Sequence, residues 1–246
     1  MLLTLLFLGS ESDKQSRAAW AADAPAGRRN EPHWEGVYLA TASPESLETF
    51  ANVSSPILLF TGSHPGCKRC EFDGQISLLQ WQGRVYIFGR ANIGYKYGRE
   101  DVHEGRRHAQ AISKPSWAKN WDSNSWSEFQ LIRIKNVDEH NQIYFLHAEP
   151  WNTTHIIGTF LGTLRYSGSN ETLIGLFVMW SENALDWTQP VIVKKQEAYR
   201  DGVHVPWHPV GLMGRRLVMM TKSENLTTRF QICEEFGEAL QSNLSG

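Results

Sequence analysis

Three strand-turn-strand units recur along this chain, and their repetition constrains the fold more than any other sequence feature. They lie at residues 76–90, 162–180 and 210–221. In the first unit, Gln82-Gly83 joins two runs rich in apolar residues, and this dipeptide is typical of a tight hairpin turn. In the other two units a polar or glycine-containing turn separates the runs. A chain of such hairpins predicts an all-β fold.

The spacing of the units favours one all-β architecture over others. The units begin near Gly74, Gly162 and Val210, which is too uneven for a solenoid, because solenoid repeats share one fixed length. The blades of a β-propeller can carry loops of different lengths between equivalent strands. We therefore predict a β-propeller.

A serine and then a tryptophan follow each of the first two hairpins. They stand at Ser113 and Trp126 in the first unit and at Ser181 and Trp187 in the second. A β-sandwich also consists of short strands and turns, but it gives no reason for this order to recur. The order therefore favours the propeller over the sandwich.

Composition excludes several classes of protein. The chain has 246 residues, of which 41% are hydrophobic and 20% charged, which excludes a disordered chain and a coiled coil. The net charge of -2 disfavours nucleic acid as a partner. We predict one propeller domain at residues 34–236, between a signal-like, poorly structured polar leader at 1–33 and a tail at 237–246.

The amino-terminal segment and several asparagines indicate where in or outside the cell the protein is found. The apolar run from Leu2 to Leu8 is too short for a membrane-spanning helix, but it has the length of a short signal-peptide core, with Ala22-Asp23-Ala24 as a cleavage pattern. We therefore predict a secreted protein with no integral membrane segment. Glycosylation acceptors of the N-x-Ser/Thr type stand at Asn52, Asn152, Asn170, Asn225 and Asn243.

The three cysteines leave more than one interpretation open. Cys67 and Cys70 form a close pair, and Cys233 is far away in the sequence. A structural zinc site would need two further ligands at comparable spacing, and the nearest candidate, His64, offers only a third ligand at a poorly matched spacing. No metal is therefore expected. The pair is either a local disulfide, which we predict, or two unreactive thiols.

A known group of enzymes shares part of this pattern. The segment Ser181-Glu182-Asn183-Ala184-Leu185-Asp186-Trp187-Thr188-Gln189-Pro190 resembles the S-x-D-G-x-x-W-x-x-P signature that closes blades in sialidases and in glycoside hydrolases of the invertase and arabinanase type. Residues 83–92 resemble the inner hairpin of those enzymes, and residues 105–113 with 126–129 resemble the following strand and blade closure. The resemblance spans residues 67–223.

The resemblance also has departures. Asn183 and Ala184 stand where the signature has Asp and Gly. The pattern shows three blades, and a fourth if Val37 to Phe60 forms one, whereas the resemblance implies a ring of five or six. We expect a propeller of the five-bladed type, with either blades that the pattern misses or a ring that this chain does not close alone.

Glycoside hydrolysis requires two carboxyl groups that flank the scissile bond. The candidates are Asp73, which precedes the first hairpin, Glu149, which follows a strand and stands near Trp151, and Asp201, which follows an arginine as in the invertase-like enzymes. An apolar neighbour such as Trp151 suits a general acid. Each candidate also has an ordinary interpretation, because Asp-Gly pairs form turns and a Glu before Pro occurs in solvated loops.

Four further residues are predicted to bind substrate. Arg90 and Arg107 could clamp a carboxylate on an acidic sugar, although a surface arginine is the ordinary alternative. Trp207 and His208 could contact a sugar ring. His204 and His208 do not predict a metal site, because Pro206 opposes the helix that would bring them to one side.

Two functions remain open. The first is a glycoside hydrolase that acts through paired carboxylates in the propeller funnel, with no cofactor. The second is a non-catalytic propeller that binds carbohydrate or another protein, because blade signatures also persist where they serve packing alone.

Overall fold

The structure of the chain is a computed structural model, and its described residues are all-β. It describes residues 6–9, 16–22, 36–42, 57–60, 64–67, 70–71, 76–93, 106–116, 125–137, 142–195, 207–222 and 228–237. Two compact units divide the chain, at residues 1–131 and 132–246. Asp73, Asp201 and three of the predicted glycosylation sites lie outside the described residues.

The first unit contains two antiparallel sheets. Its strands are β1 (Leu6–Gly9), β2 (Ser16–Ala22), β3 (Gly36–Ala42), β4 (Ile57–Phe60), β5 (Cys70–Glu71), β6 (Ser77–Trp81), β7 (Arg84–Ile93), β8 (Arg106–Pro115) and β9 (Gln130–Leu131). One sheet has the order β1-β2-β3-β4, and the other has the order β5-β7-β8-β9, with β6 also paired to β7. An apolar core joins strands of both sheets, from Val37 and Leu59 to Ile87, Ile112 and Trp126.

The second unit also contains two sheets. Its strands are β10 (Arg133–Ile134), β11 (Gln142–Pro150), β12 (Ile156–Arg165), β13 (Thr172–Ser181), β14 (Asp186–Trp187), β15 (Val191–Lys195), β16 (Trp207–Met213), β17 (Arg216–Lys222) and β18 (Thr228–Ile232). The larger sheet has the order β10-β14-β13-β12-β11, with β15 also paired to β13, and the smaller has the order β16-β17-β18.

All three predicted hairpins are confirmed by strand pairing. They are formed by β6 with β7, β12 with β13, and β16 with β17. In the first turn Gln82 has φ 46° and Gly83 has φ 70°, so both central residues are left-handed, as in the turn type that suits the twist of paired strands. Gly214 in the third turn is also left-handed, with φ 65°.

The two faces of β12 pack against different neighbours. On one face Phe160 stacks on its cross-strand partner Phe177, with ring centroids 5.3 Å apart. On the other face Ile157 and Leu161 join a buried cluster with Leu217 and Met219 of the smaller sheet. Burial on both faces explains why large apolar residues of this strand stand on both faces instead of alternating with polar ones.

The amino-terminal segment differs from the sequence expectation. A poorly structured leader is predicted for residues 1–33, but this segment contains β1 and β2. Alanine has a low strand propensity, so the local pattern of this alanine-rich segment gives no strand signal. These strands form through pairing with the rest of the sheet, because β2 pairs with β3 along seven residues, from Ser16 opposite Ala42 to Ala22 opposite Gly36.

The first hairpin turn predicts a stabilising substitution. Gln82 is left-handed, a conformation that asparagine adopts more readily than glutamine. We expect Gln82→Asn to raise the free energy of unfolding by about 0.5 kcal/mol. Gly83→Ala, which introduces a side chain at φ 70° in open space, should lower it by about 1 kcal/mol. Urea unfolding of both variants checks the prediction, and a Gln82→Asn variant less stable than the wild type would contradict it.

Candidate functional site

Glu149 is the predicted catalytic residue whose surroundings the structure describes. It lies on β11, which carries a bulge: Tyr144 pairs with Leu161 and His147 pairs with Thr159, so two residues stand opposite Phe160. A bulge changes which residues of a strand share a face. As a result, His147 and Glu149 lie on the face that carries Thr159.

Two groups contact the Glu149 carboxyl group. The Nε2 atom of His147 lies 2.6 Å from Oε1 of Glu149, and the side chains are 7% and 26% exposed respectively. The backbone N–H of Leu212 on β16 donates to both carboxylate oxygens at 3.0 Å. The carboxyl group is therefore fixed between the two sheets of the second unit, while part of its side chain remains open to solvent.

Gly211 makes this close approach of β16 possible. A Cβ atom at position 211 would lie 2.6 Å from Oε1 of Glu149, closer than real Cβ contacts come. Any side chain there would push the carboxylate away from the Leu212 N–H. Sequence reasoning missed His147, Gly211 and Leu212; only the i, i+2 spacing of His147 and Glu149 was visible as a signal.

The remaining predicted substrate residues are described only in part. Arg90 lies on β7 and is 8% exposed, which excludes the ordinary interpretation of a solvated surface arginine. Arg107 lies on β8 opposite Asn92, and Trp207 and His208 begin β16, but their side chains lie outside the described residues. The structure therefore does not test whether these four side chains meet Glu149.

The segment that resembles a blade closure forms a tight turn. The hydroxyl oxygen of Ser181 accepts the backbone N–H groups of Asn183 at 3.2 Å and Ala184 at 2.9 Å. Ala184 has φ 68°, which explains why the signature has glycine at this position. The indole of Trp187, 3% exposed, donates to the carbonyl of Ala184 at 3.1 Å. The serine and the tryptophan of the repeat therefore serve packing and turn formation.

Asn183 takes the structural role of the aspartate in the signature. Its Oδ1 accepts the backbone N–H of Asp186 at 2.7 Å, and its Nδ2 donates to Oδ2 of Asp186 at 2.8 Å. Arg133 binds the Asp186 carboxylate through two nitrogen atoms and lowers the pKa of that carboxyl, mainly through its hydrogen bonds. This ion pair ties β10 to β14.

A cleft of about 480 Å³ opens beside this closure. Its lining combines an aromatic side chain with charged and polar groups, among them Arg133, Lys135, His155, Trp180, Glu182 and Thr188. Nε2 of His155 lies 3.1 Å from Oε1 of Glu182, and both side chains are exposed. Aromatic rings with nearby planar polar groups are the features of sites that hold small polar ligands such as sugars.

Two classes of site are absent from the described part of the chain. No group of three or more His, Cys, Asp or Glu side chains there is placed to hold a metal ion. No helix among the same residues is long and apolar enough to cross a membrane.

Comparisons with known proteins identify the fold. No protein-family model matches the chain, and no curated protein matches it. The solved alpha-L-arabinofuranosidase of Lactobacillus brevis is similar over 92% of this chain and 66% of its own, with a TM-score of 0.54 and 11% identity. A GH32 beta-fructofuranosidase of Bombyx mori is similar over 89% of this chain and 43% of its own, with a TM-score of 0.51 and 9% identity.

These similarities confirm the family resemblance predicted from the sequence at the level of the fold. Both solved structures are glycoside hydrolases of the β-propeller type. The chain spans about two thirds of the first structure and less than half of the second. The number of blades stays a prediction.

The cysteines fall into two classes. Cys67 takes part in a disulfide bond, while the side chain of its predicted partner Cys70 lies outside the described residues. Cys233 is a buried free thiol. Burial raises its pKa to about 11, and the Glu235 carboxylate beside it adds to the shift. Lys194 holds that carboxylate at 2.6 Å. Cys233 therefore lacks the thiolate that nucleophilic catalysis needs.

The Cys233 thiol predicts a loss of stability in alkali. The pKa of this thiol is raised in the folded state. Its contribution to the free energy of unfolding is therefore complete below the ordinary pKa of 9.0 and is lost as the pH rises toward 11. We expect the free energy of unfolding of the wild type to fall more steeply from pH 9 to 11 than that of Cys233→Ala. Urea unfolding at several pH values measures both. Parallel curves, or rapid reaction of the native thiol with a disulfide reagent at pH 8, would contradict the assignment.

Proposed function

We propose that this protein is a glycoside hydrolase in which Glu149 is the general acid. The observation that carries the proposal is the environment of its carboxyl group. That group receives hydrogen bonds from the Leu212 N–H and is in contact with His147, yet its side chain remains 26% exposed. A catalytic carboxyl must be both fixed in orientation and accessible to substrate. The propeller fold shared with glycoside hydrolases supports the same reaction class.

The proposed reaction needs a second carboxylate. Glu149 gives its proton to the glycosidic oxygen while the bond from that oxygen to the sugar carbon breaks. Asp73 or Asp201, predicted from the sequence, either accepts a proton from the water that attacks the sugar carbon or attacks that carbon itself; in the second case water, deprotonated by Glu149, then cleaves the glycosyl-enzyme ester. The alcohol leaves with the proton of Glu149, and no cofactor or metal takes part in the steps we assign.

The proposed substrate is a carbohydrate, and four residues are proposed to contact it. Arg90 and Arg107 would clamp an acidic group on the sugar, because the guanidinium binds a carboxylate through two parallel hydrogen bonds. Trp207 and His208 would contact a sugar ring through their aromatic faces; both stand at the start of β16, the strand that also carries Leu212. None of the four is required for the assignment of Glu149.

The leaving group of the substrate distinguishes the two carboxylate roles. A dinitrophenyl leaving group departs without protonation, whereas an alkyl group needs an acid. We expect Glu149→Gln to lower kcat/KM about 1,000-fold on alkyl glycosides and less than about 10-fold on dinitrophenyl glycosides, because kcat/KM reports the step in which the leaving group departs. Asp73→Asn should lower kcat on both classes. A panel of pyranosides, furanosides and sialosides with each leaving group supplies the measurement.

A matched variant controls for general effects of removing a carboxyl group. Glu234 is exposed on the second unit and is not part of the proposed site, so Glu234→Gln should leave turnover unchanged. The assignment of Glu149 fails if Glu149→Gln lowers the rates on both leaving groups equally. The hydrolase proposal as a whole fails if no glycoside in the panel is turned over by the wild type.

A second candidate function is carbohydrate binding without hydrolysis. The cleft that contains Trp180, Lys135 and Glu182 favours it, because its aromatic and polar lining suits a sugar and requires no catalytic pair. On this alternative, the panel gives no turnover, while a glycan column retains the wild type and releases Trp180→Ala. Retention that does not depend on Trp180 would exclude the cleft as the binding site.

We also propose that the protein is secreted and glycosylated. The acceptors Asn152 and Asn170 are exposed, which an attached oligosaccharide requires. The Oδ1 atom of Asn152 accepts both the N–H of Thr154 at 2.8 Å and its hydroxyl at 2.9 Å. The asparagine and the threonine of this acceptor are therefore already in contact on the exposed β11–β12 turn. Asn52, Asn225 and Asn243 remain predicted acceptors from the sequence.

Expression in a glycosylating eukaryotic host tests this proposal. The chain should lose about its first twenty residues and shift in mobility after deglycosidase treatment. Asn152→Gln and Thr154→Ala should each remove one glycan, whereas Thr153→Ala, which leaves the acceptor pattern intact, should remove none. Intact mass spectrometry measures all four proteins. An intact Met1 end together with no attached sugar would overturn the assignment to the secretory route.

A further inference from the structure

We propose that His147 is a positioning residue that orients the Glu149 carboxyl group, and that it acts through a buried polar relay with Thr159. The inference rests on the proposed role of Glu149 in hydrolysis, but the contact itself can be tested without turnover. It assigns a role to His147 and Thr159, neither of which the sequence indicates.

The relay begins with the geometry of the bulge in β11. The Cα partner of His147 is Thr159, and paired residues of antiparallel strands share a face with Cβ atoms about 5 Å apart. The bulge opposite Phe160 sets this register. His147 therefore lies between Thr159 on one side and Glu149 on the other.

Both ends of the histidine ring are buried. The side chain of His147 is 7% exposed, and Thr159 is 3% exposed. Nε2 of His147 contacts Glu149, while Nδ1 of His147 and the hydroxyl oxygen of Thr159 have no hydrogen-bond partner among the described residues. Buried polar atoms normally have partners, and one bridging water can satisfy two such neighbours together.

The partners of the ring determine which nitrogen carries its proton. A general acid carries its proton on one oxygen and accepts hydrogen bonds at the other, so with the proton on Oε2 of Glu149, Nε2 of His147 donates to Oε1. In a neutral ring, Nδ1 is then the acceptor, and the Thr159 hydroxyl can donate a hydrogen bond to it directly or through a water molecule. The relay therefore runs in one direction, from Thr159 through His147 to Oε1 of Glu149.

This arrangement distinguishes the two oxygens of Glu149. Oε1 receives both His147 and the Leu212 N–H, whereas Oε2 receives only the Leu212 N–H. Oε2 is therefore the oxygen left to face a glycosidic oxygen. Without His147 the carboxyl group can rotate about its last bond, and an unfavourable orientation slows proton transfer without weakening substrate binding.

Nitrogen-15 NMR on the full chain tests the contact without any substrate. Long-range correlations from labelled histidine identify which ring nitrogen carries a proton, and His147→Asn assigns the signal. We expect a protonated Nε2 in the wild type, loss of this preference in Glu149→Ala, and a changed Nδ1 signal in Thr159→Val. An unprotonated Nε2 in the wild type would overturn the proposal, because His147 then donates nothing to Glu149.

Kinetics on an alkyl glycoside test the functional consequence. We expect His147→Leu to lower kcat about 10-fold to 100-fold with KM unchanged, and His147→Asn, which keeps an N–H donor, to recover part of the loss. His64 is a matched control, since it is a partly buried histidine that contacts the backbone oxygen of Ser127 at 2.8 Å. His64→Leu should leave kcat unchanged.

The two experiments separate the failure of each proposal. A wild type that hydrolyses no glycoside removes the hydrolase function, while the NMR result still decides whether His147 donates to Glu149. Turnover that is equal in wild type and His147→Leu overturns the positioning role even if the tautomer is as expected. If His147→Leu does not fold, Thr159→Val replaces it, with an expected loss of kcat of about 3-fold to 10-fold.

Discussion

The pairing of β12 on both of its sides is the constraint on which the second unit depends. All ten residues of this strand, from Ile156 to Arg165, pair with β13. Its other side pairs with β11 around the bulge that brings His147 and Glu149 to one face. The same strand contributes Ile157 and Leu161 to the core beneath the smaller sheet. A one-residue slip of β12 would exchange its two faces and separate the core from the candidate site.

The second unit combines rigid packing with one polar cluster. Glu149 reaches the Leu212 N–H on β16 only because Gly211 leaves room for its carboxylate. The neighbouring cluster of Ile157, Leu161, Leu217 and Met219 is apolar and buried, whereas the Glu149 side chain remains 26% exposed. The turn at Ser181 to Trp187 has a different role. The Ser181 hydroxyl accepts a backbone N–H of the turn, and the buried Trp187 indole donates to the carbonyl of Ala184. The serine and the tryptophan of this motif therefore stabilise the turn in which they lie.

Much of the fold could be predicted from local residue patterns. The turn at Gln82-Gly83 and the hairpins at β12–β13 and β16–β17 follow from residues that are neighbours in the chain. The strands of the amino-terminal segment could not be predicted, because their formation depends on the pairing of β2 with β3 and not on local sequence. The site was predicted only at Glu149. Its partners belong to a bulge and to a distant strand, and neither leaves a local signal.

The sequence by itself determined that this protein is all-β, that its hairpins repeat, and that it resembles propeller glycosidases. Turn chemistry and strand patterns act over a few residues, so a sequence is sufficient to reveal them. Only the tertiary structure decided that Glu149 meets Leu212, 63 positions further along the chain, and that His147 lies between Glu149 and Thr159. Such contacts depend on how sheets pack and where a strand bulges, and these are properties of the folded chain as a whole.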